Sequence, residues 1–482
     1  MRSHSGARVR VILMLASMET SHQIYQDPEV YKRFLEFLGG DDQSNTTAVY
    51  VTHTDGYRVQ SELMQKVDAL PALMENGLDI DRSLLDEQSL LVHLDIEYVN
   101  FDSPAECYLN PERSFALQEP VITVIEEVLL QYGIRPLHLL TGQGHHFIWR
   151  VDKSAAAMAD LAVLAPRNPA PCSAVPGNDL HLEDHIYAGQ KAFHGLARVI
   201  EFLAHQIKMR AAPRCEIPVE LTAVHVGHGI HGAREMISID ISEYGDPLWT
   251  RVIRMPFTNY LKPWKTGLIE AMRDLENMPP IFTLPMHEID TESALEIRNS
   301  AQKTRRLAHR ACVRIPEQSE ATQALIDDYI TSPLWKFHED YDAETVSDAF
   351  DFFSVVGQLP PCAAYILNHP CDLLLKPSGM RLVVRCLMGE GFGPRQIGHM
   401  IASIFNDTEH GWNCNWDIYS QDMRAHFYTR LFAGQIAVGL DGATDFNCVS
   451  TQEQGFCFNA AGCSLDSWRN KLTSKQKGKH NE

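Results

Sequence analysis

The segment from residue 90 to 151 constrains the fold most, because its hydrophobic period changes twice. Residues 90–98 (LLVHLDIEY) alternate polar and apolar side chains, as a half-buried strand does. Residues 120–133 (PVITVIEEVLLQYG) repeat apolar positions at helical spacing and end in glycine. Residues 136–151 (PLHLLTGQGHHFIWRV) place a glycine-rich turn between two apolar runs, which is typical of a hairpin. The sequence therefore predicts a β-α-β-β unit.

Length and charge limit the class of protein. At 482 residues the chain is long enough for about two or three domains. No apolar run approaches the ~20 residues that a membrane span needs, so we predict a cytoplasmic protein without membrane contact. Residues 1–17 are a possible upstream extension, because ordinary sequence begins at Met18. The net charge of −20 argues against general coating of nucleic acid but allows a local basic groove.

Two acidic residues lie on one face of the predicted strand at 90–98. Alternation places Asp95 and Glu97 together, opposite an apolar face. Two such carboxylates repel each other unless a cation lies between them, and paired divalent ions are the usual means of nucleotidyl transfer. Asp240, in a second alternating strand, is a candidate third ligand, and Asp246 is its alternative. An ordinary solvated strand surface would show the same D-x-E pattern.

The turn in the predicted hairpin is a candidate anion site. A Thr-Gly-x-Gly turn lets a ligand approach the backbone closely, and a histidine on the returning strand can donate to a phosphate. Basic residues further along the chain are candidate contacts of a triphosphate. The candidate nucleotide-binding residues are Thr141, Gly142, Gly144, His146, Arg251, Arg254 and Lys262. The simpler interpretation is an ordinary tight turn and surface charges.

The order of these motifs resembles the archaeo-eukaryotic primase superfamily. They read LDIE at 94–97, TGQGHHFIW at 141–149, and IDI at 239–241 followed by RVIRMP at 251–256. The resemblance covers about residues 88–265 and implies an RRM-like sheet. It also implies that Asp95, Glu97 and Asp240 bind two Mg²⁺ or Mn²⁺ ions. By the same resemblance His146 contacts the incoming nucleotide, and Arg254 and Lys262 contact its phosphates.

Four cysteines in the second half suit a metal centre. Cys362, Cys448, Cys457 and Cys463 lie in separate, partly glycine-rich segments, and their spacing differs from that of short zinc knuckles. Residues 350–465 resemble the iron–sulfur domain of the primase large subunit, in PPC at 360–362, MRLVVRCLMGEGF at 380–392 and FYTRLFAG at 427–434. The resemblance implies a 4Fe–4S cluster. Structural zinc is the alternative, and Cys414 could replace one ligand.

A basic segment connects the two halves. In KTRRLAHRACVR, Lys303, Arg306, Arg310 and Arg314 recur at helical spacing, with no acidic residue between them. Such a stripe on a helix suits contact with a nucleic-acid backbone, and an ordinary solvated helix face has the same pattern.

We therefore predict an α+β protein whose RRM-like catalytic core precedes a mainly helical iron–sulfur domain. It would be a primase or primase-polymerase that uses single-stranded DNA as template, NTPs or dNTPs as substrates, and a helicase or another replication or repair protein as partner. The alternatives are a catalytically silent nucleic-acid-binding protein and a metal-dependent nuclease. The predicted segments are an extension at 1–17, a catalytic domain at 18–290, a helical basic connector at 291–345, an iron–sulfur domain at 346–466 and a disordered tail at 467–482.

Overall fold

The computed structural model combines helices with two β-sheets, which confirms the α+β class. It describes residues 14–15, 17–53, 61–166, 180, 182–265, 278–346, 355–369, 372–407, 412, 416, 419–457 and 463–479. None of the helices described there is long and apolar enough to cross a membrane.

Within the described residues, nine strands form two sheets. They are β1 (Val51–His53), β2 (Ile80–Ser83), β3 (Ser89–Asn100), β4 (Leu137–Leu140), β5 (Gly144–Asp152), β6 (Val219–Leu221), β7 (Glu235–Asp240), β8 (Val252–Arg254) and β9 (Leu284–Pro285). The smaller sheet has the order β1-β2-β8, and the larger one has the order β6-β7-β3-β5-β4-β9.

The α-helices described in the structure are concentrated in the second half. Before β8 they are α1 (Pro28–Phe37), α2 (Leu70–Glu75), α3 (Glu106–Leu109), α4 (Pro111–Ala116), α5 (Glu119–Gln131), α6 (Ala156–Val163) and α7 (Leu182–Ala211). After β8 they are α8 (Lys262–Lys265), α9 (Thr291–Arg298), α10 (Ala301–Ala308), α11 (Ser319–Tyr329), α12 (Pro333–Ala343), α13 (Pro361–Asn368), α14 (Asp372–Leu375), α15 (Pro377–Glu390), α16 (Pro394–Asn406), α17 (Gln421–Ala437), α18 (Cys448–Glu453) and α19 (Asp466–Lys479).

The predicted β-α-β-β unit is confirmed as β3-α5-β4-β5. Strand β5 lies between β3 and β4 and pairs antiparallel with both, so β3 and β4 run parallel and α5 is their crossover. A parallel pair needs such a crossover, whereas β4 and β5 need only a turn. On β3 the side chains of Val92, Leu94 and Ile96 are fully buried. The strand therefore turns its apolar face inward and leaves the acidic face for the site.

The chain divides into two compact units that differ from the predicted domains. One contains residues 1–163, 175–193 and 248–323, and the other contains residues 164–174, 194–247 and 324–482. The first part of the predicted connector belongs to the first unit, where Arg150 of β5 exchanges backbone hydrogen bonds with Pro316 and Gln318. Trp149 donates from Nε1 to Thr322 Oγ1 (3.1 Å). Residues 315–322 are therefore packed against β5.

The two chain ends also differ from expectation. Of the predicted extension at 1–17, only residues 14, 15 and 17 are described, and Ser17 Oγ accepts from Asn259 Nδ2 at 2.8 Å. The predicted disordered tail is wrong for residues 467–479, because α19 occupies Asp466–Lys479. Leu472 of this helix is buried, and Lys471 pairs with Glu390 at 2.7 Å. The polar composition of the tail concealed this anchoring leucine.

The second unit contains a buried polar network. Glu201, which has no exposed surface, accepts from Arg430 Nε (3.0 Å) and lies 3.3 Å from His338 Nε2. The other ring nitrogen of His338 lies 2.6 Å from the hydroxyl of Tyr329. Nearby, both ring nitrogens of His205 are buried without a hydrogen-bond partner. Burial lowers the pKa of His205 and that of His338 from 6.5 to about 4.

These histidines predict acid sensitivity. Because their folded pKa lies below the unfolded value, the unfolded chain binds more protons between pH 6.5 and 4, and stability is lost as the pH falls through that window. Each such histidine should reduce the free energy of unfolding by about 2 kcal/mol between pH 7 and pH 5. Urea denaturation at the two pH values measures this loss. His205→Phe should shrink the difference, whereas equal or higher stability at pH 5 would contradict it.

Candidate metal and nucleotide site

The register of β3 and β5 determines which histidine faces the acidic residues. Asp95 lies directly opposite His146, and Glu97 lies opposite Gly144. Directly opposed residues of an antiparallel pair point to the same face, so His146 shares the face of Asp95. His146 Nε2 lies 3.4 Å from Asp95 Oδ1. His145 points to the other face, where its Nδ1 lies 2.9 Å from His138 Nε2.

His146 is a neutral ring in this setting. Burial lowers its pKa well below the ordinary value, and the nearby His93 and Arg254 lower it further. The rings of His93 and His146 meet edge to face, with centroids 4.5 Å apart. A neutral imidazole carries one N–H donor and one acceptor, so His146 can donate one hydrogen bond to an anionic group.

Asp95, Glu97 and Asp240 form a group with the geometry of a cation site. Each offers one carboxylate oxygen, and these oxygens all lie within 4.8 Å of one another. All three residues are partly exposed rather than buried, so a hydrated cation could reach them. Oxygen-only ligands suit hard divalent cations such as Mg²⁺ and Mn²⁺. The donor set therefore fits the ions that the resemblance implies.

Asp246, the alternative third ligand, has a different partner. Its carboxylate is buried and accepts from Arg424 Nε at 2.9 Å. Asp240 ends β7, and its Oδ1 accepts from the backbone N–H of Ser242 at 2.9 Å, which orients the carboxylate. The structure thus brings Asp240 and not Asp246 into the acidic group.

The two glycines of the turn are required by close packing. A Cβ on Gly144 would lie 1.8 Å from the carbonyl oxygen of Ile96, and one on Gly142 would lie 2.4 Å from the ring of Tyr260. The turn is closed internally, because Thr141 N–H donates to Gly144 O (2.8 Å) and Gly144 N–H donates to Thr141 Oγ1 (3.2 Å). These two N–H groups are therefore engaged and do not point at an anion.

Lys262 is the basic residue placed beside the acids. Its Nζ lies 3.8 Å from Glu97 Oε1 and donates to Gln143 Oε1 at 2.7 Å. The hydroxyl of Tyr260 donates to the same oxygen at 2.9 Å. Gln143 was the unspecified residue of the Thr-Gly-x-Gly turn, so its side chain was missed. A glutamine within the turn is the sequence signal that could have indicated this contact, and it is weak.

The two candidate arginines are placed differently from Lys262. Arg254 is held by carboxylates, with Nη1 at 3.3 Å from Asp79 and Nη2 at 4.0 Å from Asp81. Its guanidinium also lies 4.7 Å from the centroid of the Tyr260 ring. Arg251 precedes β8 by one residue and lies three positions from Arg254, so the two do not share a strand face. Arg254 therefore supports the site wall through Tyr260.

Arg298, which the sequence analysis missed, holds the turn from behind. Its Nη1 donates to the carbonyl oxygen of Thr141 (2.9 Å), and its guanidinium lies 4.8 Å from the centroid of the Phe115 ring. Burial lowers its pKa to about 10, so it stays charged at neutral pH. Arg298 lies more than 150 positions from the turn, so no local sequence pattern connects the two.

The predicted basic helix is wrong in its extent. Helix α10 ends at Ala308, so only Lys303 and Arg306 of the four basic residues are helical. Lys303 pairs with Glu296, and Arg314 pairs with Asp41. Arg306 and Arg310 are exposed. The four residues therefore do not form one stripe, and their contact with nucleic acid stays a prediction.

The four candidate cysteines lie in the second unit, where they affect one another's pKa. Cys362 is buried near the start of α13, and burial together with the nearby Cys463 and Cys457 raises its pKa to about 12. Burial raises the pKa of Cys463, and the nearby Cys448 and Cys457 raise it further. The backbone N–H of Leu465 donates to Cys448 Sγ at 3.3 Å. Backbone donors to sulfur are typical of iron–sulfur ligands, so the donor set fits a cluster.

A fifth thiol lies beside this cysteine cluster. Cys386 of α15 is fully buried, and its pKa is raised well above the ordinary value by burial and by the nearby Cys362 and Cys463. No sequence pattern indicates this proximity, because 24 positions separate Cys386 from Cys362. Cys414 lies outside the described residues.

No protein-family model, no curated protein and no solved structure matches the chain.

Proposed function

We propose that the protein is a primase-polymerase that joins nucleotides on a single-stranded DNA template. The observation that carries this proposal is the acidic group of Asp95, Glu97 and Asp240, whose oxygens lie within 4.8 Å of one another. Three carboxylates at this spacing are suited to hold two divalent cations, which would supply electrostatic stabilisation of the reacting phosphate and activation of a 3′-hydroxyl. The resemblance described above assigns the same three residues this role.

The strand topology supports the proposal. The order β3-β5-β4 with α5 as crossover matches three of the four strands of an RRM-like sheet, the core that the resemblance implies. This arrangement explains how short motifs far apart in sequence meet, because the D-x-E strand and the strand that follows the turn are direct neighbours. An RRM-like fold alone hosts many functions, so the acidic group has to carry the functional inference.

The side chains around the acids suit a triphosphate. Lys262 Nζ, a mobile point charge, can exchange its contacts with Gln143 and Glu97 for a phosphate oxygen. His146, held neutral, can donate one hydrogen bond beside Asp95. Attack of a 3′-hydroxyl oxygen on the α-phosphorus forms the new phosphodiester bond and releases pyrophosphate. On this account Lys262 and His146 orient the triphosphate so that pyrophosphate leaves in line.

The cysteine cluster supports the second part of the proposal. A 4Fe–4S cluster held by Cys362, Cys448, Cys457 and Cys463 would organise the helices of the second unit, as the resemblance to the primase large subunit implies. Cys362 is buried and the other three are partly buried. Binding a metal would release the thiol protons, because the thiolate is the form that binds metal.

Primer synthesis tests the acidic group directly. On a single-stranded template without primer, with Mg²⁺ or Mn²⁺, wild type should yield new product, and Asp95→Ala with Glu97→Ala should lower the yield at least about a hundredfold because the cations are lost. The control variant Asp68→Ala with Glu75→Ala removes two carboxylates elsewhere and should retain activity. Absence of extension by wild type, even from a supplied primer, or shortening of labelled DNA, would refute the proposal.

Kinetics of Lys262→Ala test the triphosphate contact. Loss of one charge-assisted hydrogen bond should raise the KM for nucleotide about tenfold or more, with a smaller change in kcat. Lys262→Arg keeps the charge and should recover most of the affinity. An unchanged KM in Lys262→Ala would place the triphosphate elsewhere.

Metal analysis tests the cysteine cluster. Protein purified without oxygen should contain about four iron atoms per chain and absorb visible light, and Cys362→Ser should lose both properties. Cys312→Ser, which changes an exposed cysteine, should keep them. Bound zinc without iron would contradict the cluster.

A further inference from the structure

A cavity in the second unit, formed by residues that the proposed function does not use, has the composition of a ligand site. It measures about 330 Å³ and lies among α7, α12, α16 and α17. Small-molecule sites have volumes from about 300 Å³ upward and combine apolar walls with a few polar groups. Its walls include the rings of Tyr244, Tyr341 and Phe427. The hydroxyl of Tyr341 lies 2.7 Å from His426 Nδ1, which fixes both side chains.

Nitrogen donors outnumber carboxylates around this cavity. Three arginines and three histidines line it, against two carboxylates: they are Arg198, Arg395, Arg430, His194, His399, His426, Asp342 and Asp422. The Asp342 carboxylate is occupied by Arg198, whose Nη2 donates to both of its oxygens at 2.8 Å. Asp422 accepts from Asn406 at 3.3 Å. Both carboxylates therefore already accept hydrogen bonds from protein groups, and nitrogen donors remain for a ligand.

Arg395 carries the charge that a ligand could use. Its Nη1 donates to the backbone oxygen of Asp342 (2.8 Å), and within the described part of the chain no carboxylate forms an ion pair with its guanidinium. Arg430 is 7% exposed and pairs with Glu201 through Nε, while its Nη2 is buried without a hydrogen-bond partner. The unpaired guanidinium charge of Arg395 next to a cavity favours an anion, and the free Nη2 of Arg430 offers a further donor; phosphate matches the geometry of such groups.

Two of the histidines add hydrogen-bonding groups without charge. Burial, with a smaller contribution from nearby arginines, lowers the pKa of His426 and that of His194 to about 4. At neutral pH these rings are uncharged, and each can donate one hydrogen bond to a ligand and accept one from it.

We propose that this cavity binds a small phosphorylated molecule that carries a planar ring, of the size of a nucleoside monophosphate. Arg395 and His399, at the solvent side, would contact the phosphate, and the aromatic walls would pack on the ring. The site is distinct from the acidic group and needs no divalent cation.

Titration calorimetry with AMP tests the proposal. The full chain carrying Asp95→Ala and Glu97→Ala, in buffer without divalent cations, should bind AMP with one site per chain. Adenosine, which lacks the phosphate, should bind at least about tenfold more weakly, and inorganic phosphate should compete with AMP. This background silences the acidic site, so the result does not depend on the proposed polymerase activity.

A pair of variants locates the binding. Arg395→Gln should weaken AMP binding about tenfold or more, because a charge-assisted contact is lost. Lys336→Gln removes an exposed charge from α12 and should leave the affinity unchanged. Circular dichroism should show that both variants are folded. Failure of AMP to bind at millimolar concentration, or equal affinity in folded Arg395→Gln, would overturn the proposal.

Discussion

The antiparallel pairing of β3 with β5 is the interaction on which the rest of the site depends. Its register sets Asp95 opposite His146 and Glu97 opposite Gly144. A slip of β5 by one residue would turn His145 toward the acids, together with the buried Phe147 and Trp149 that share its face. The register is fixed by close approach, because Gly144 leaves no room for a side chain against Ile96. One glycine contact therefore determines which imidazole can serve the acidic group.

Charges around the site are arranged in two layers. Arg254 is neutralised by Asp79 and Asp81, and Arg298 donates to the carbonyl oxygens of the turn. These arginines stabilise the walls, whereas Lys262 lies directly beside Glu97. A divalent cation would relieve the repulsion between Asp95 and Glu97 and free Lys262 for a phosphate. The arrangement thus favours a metal-bound nucleotide over either ligand alone.

Hydrophobic period was sufficient to predict β3, α5, β4 and β5, because each buries one face. It could not choose between His145 and His146, since alternation alone does not say which face is open. Lys262 and Arg298 act through contacts more than 100 positions away, which a single sequence does not reveal. The predicted stripe at 303–314 failed because helical spacing continued past the end of α10. The proximity of Cys386 to Cys362 and Cys463 could not be predicted, because these residues are far apart in sequence.

The most direct test of the central claim is the position of Mn²⁺ in crystals grown with a non-hydrolysable nucleotide. Anomalous scattering locates manganese without assumptions about the protein. The account predicts two manganese ions bound by Asp95, Glu97 and Asp240, with the triphosphate between them and Lys262. Manganese bound elsewhere, or a nucleotide bound away from these carboxylates, would contradict it.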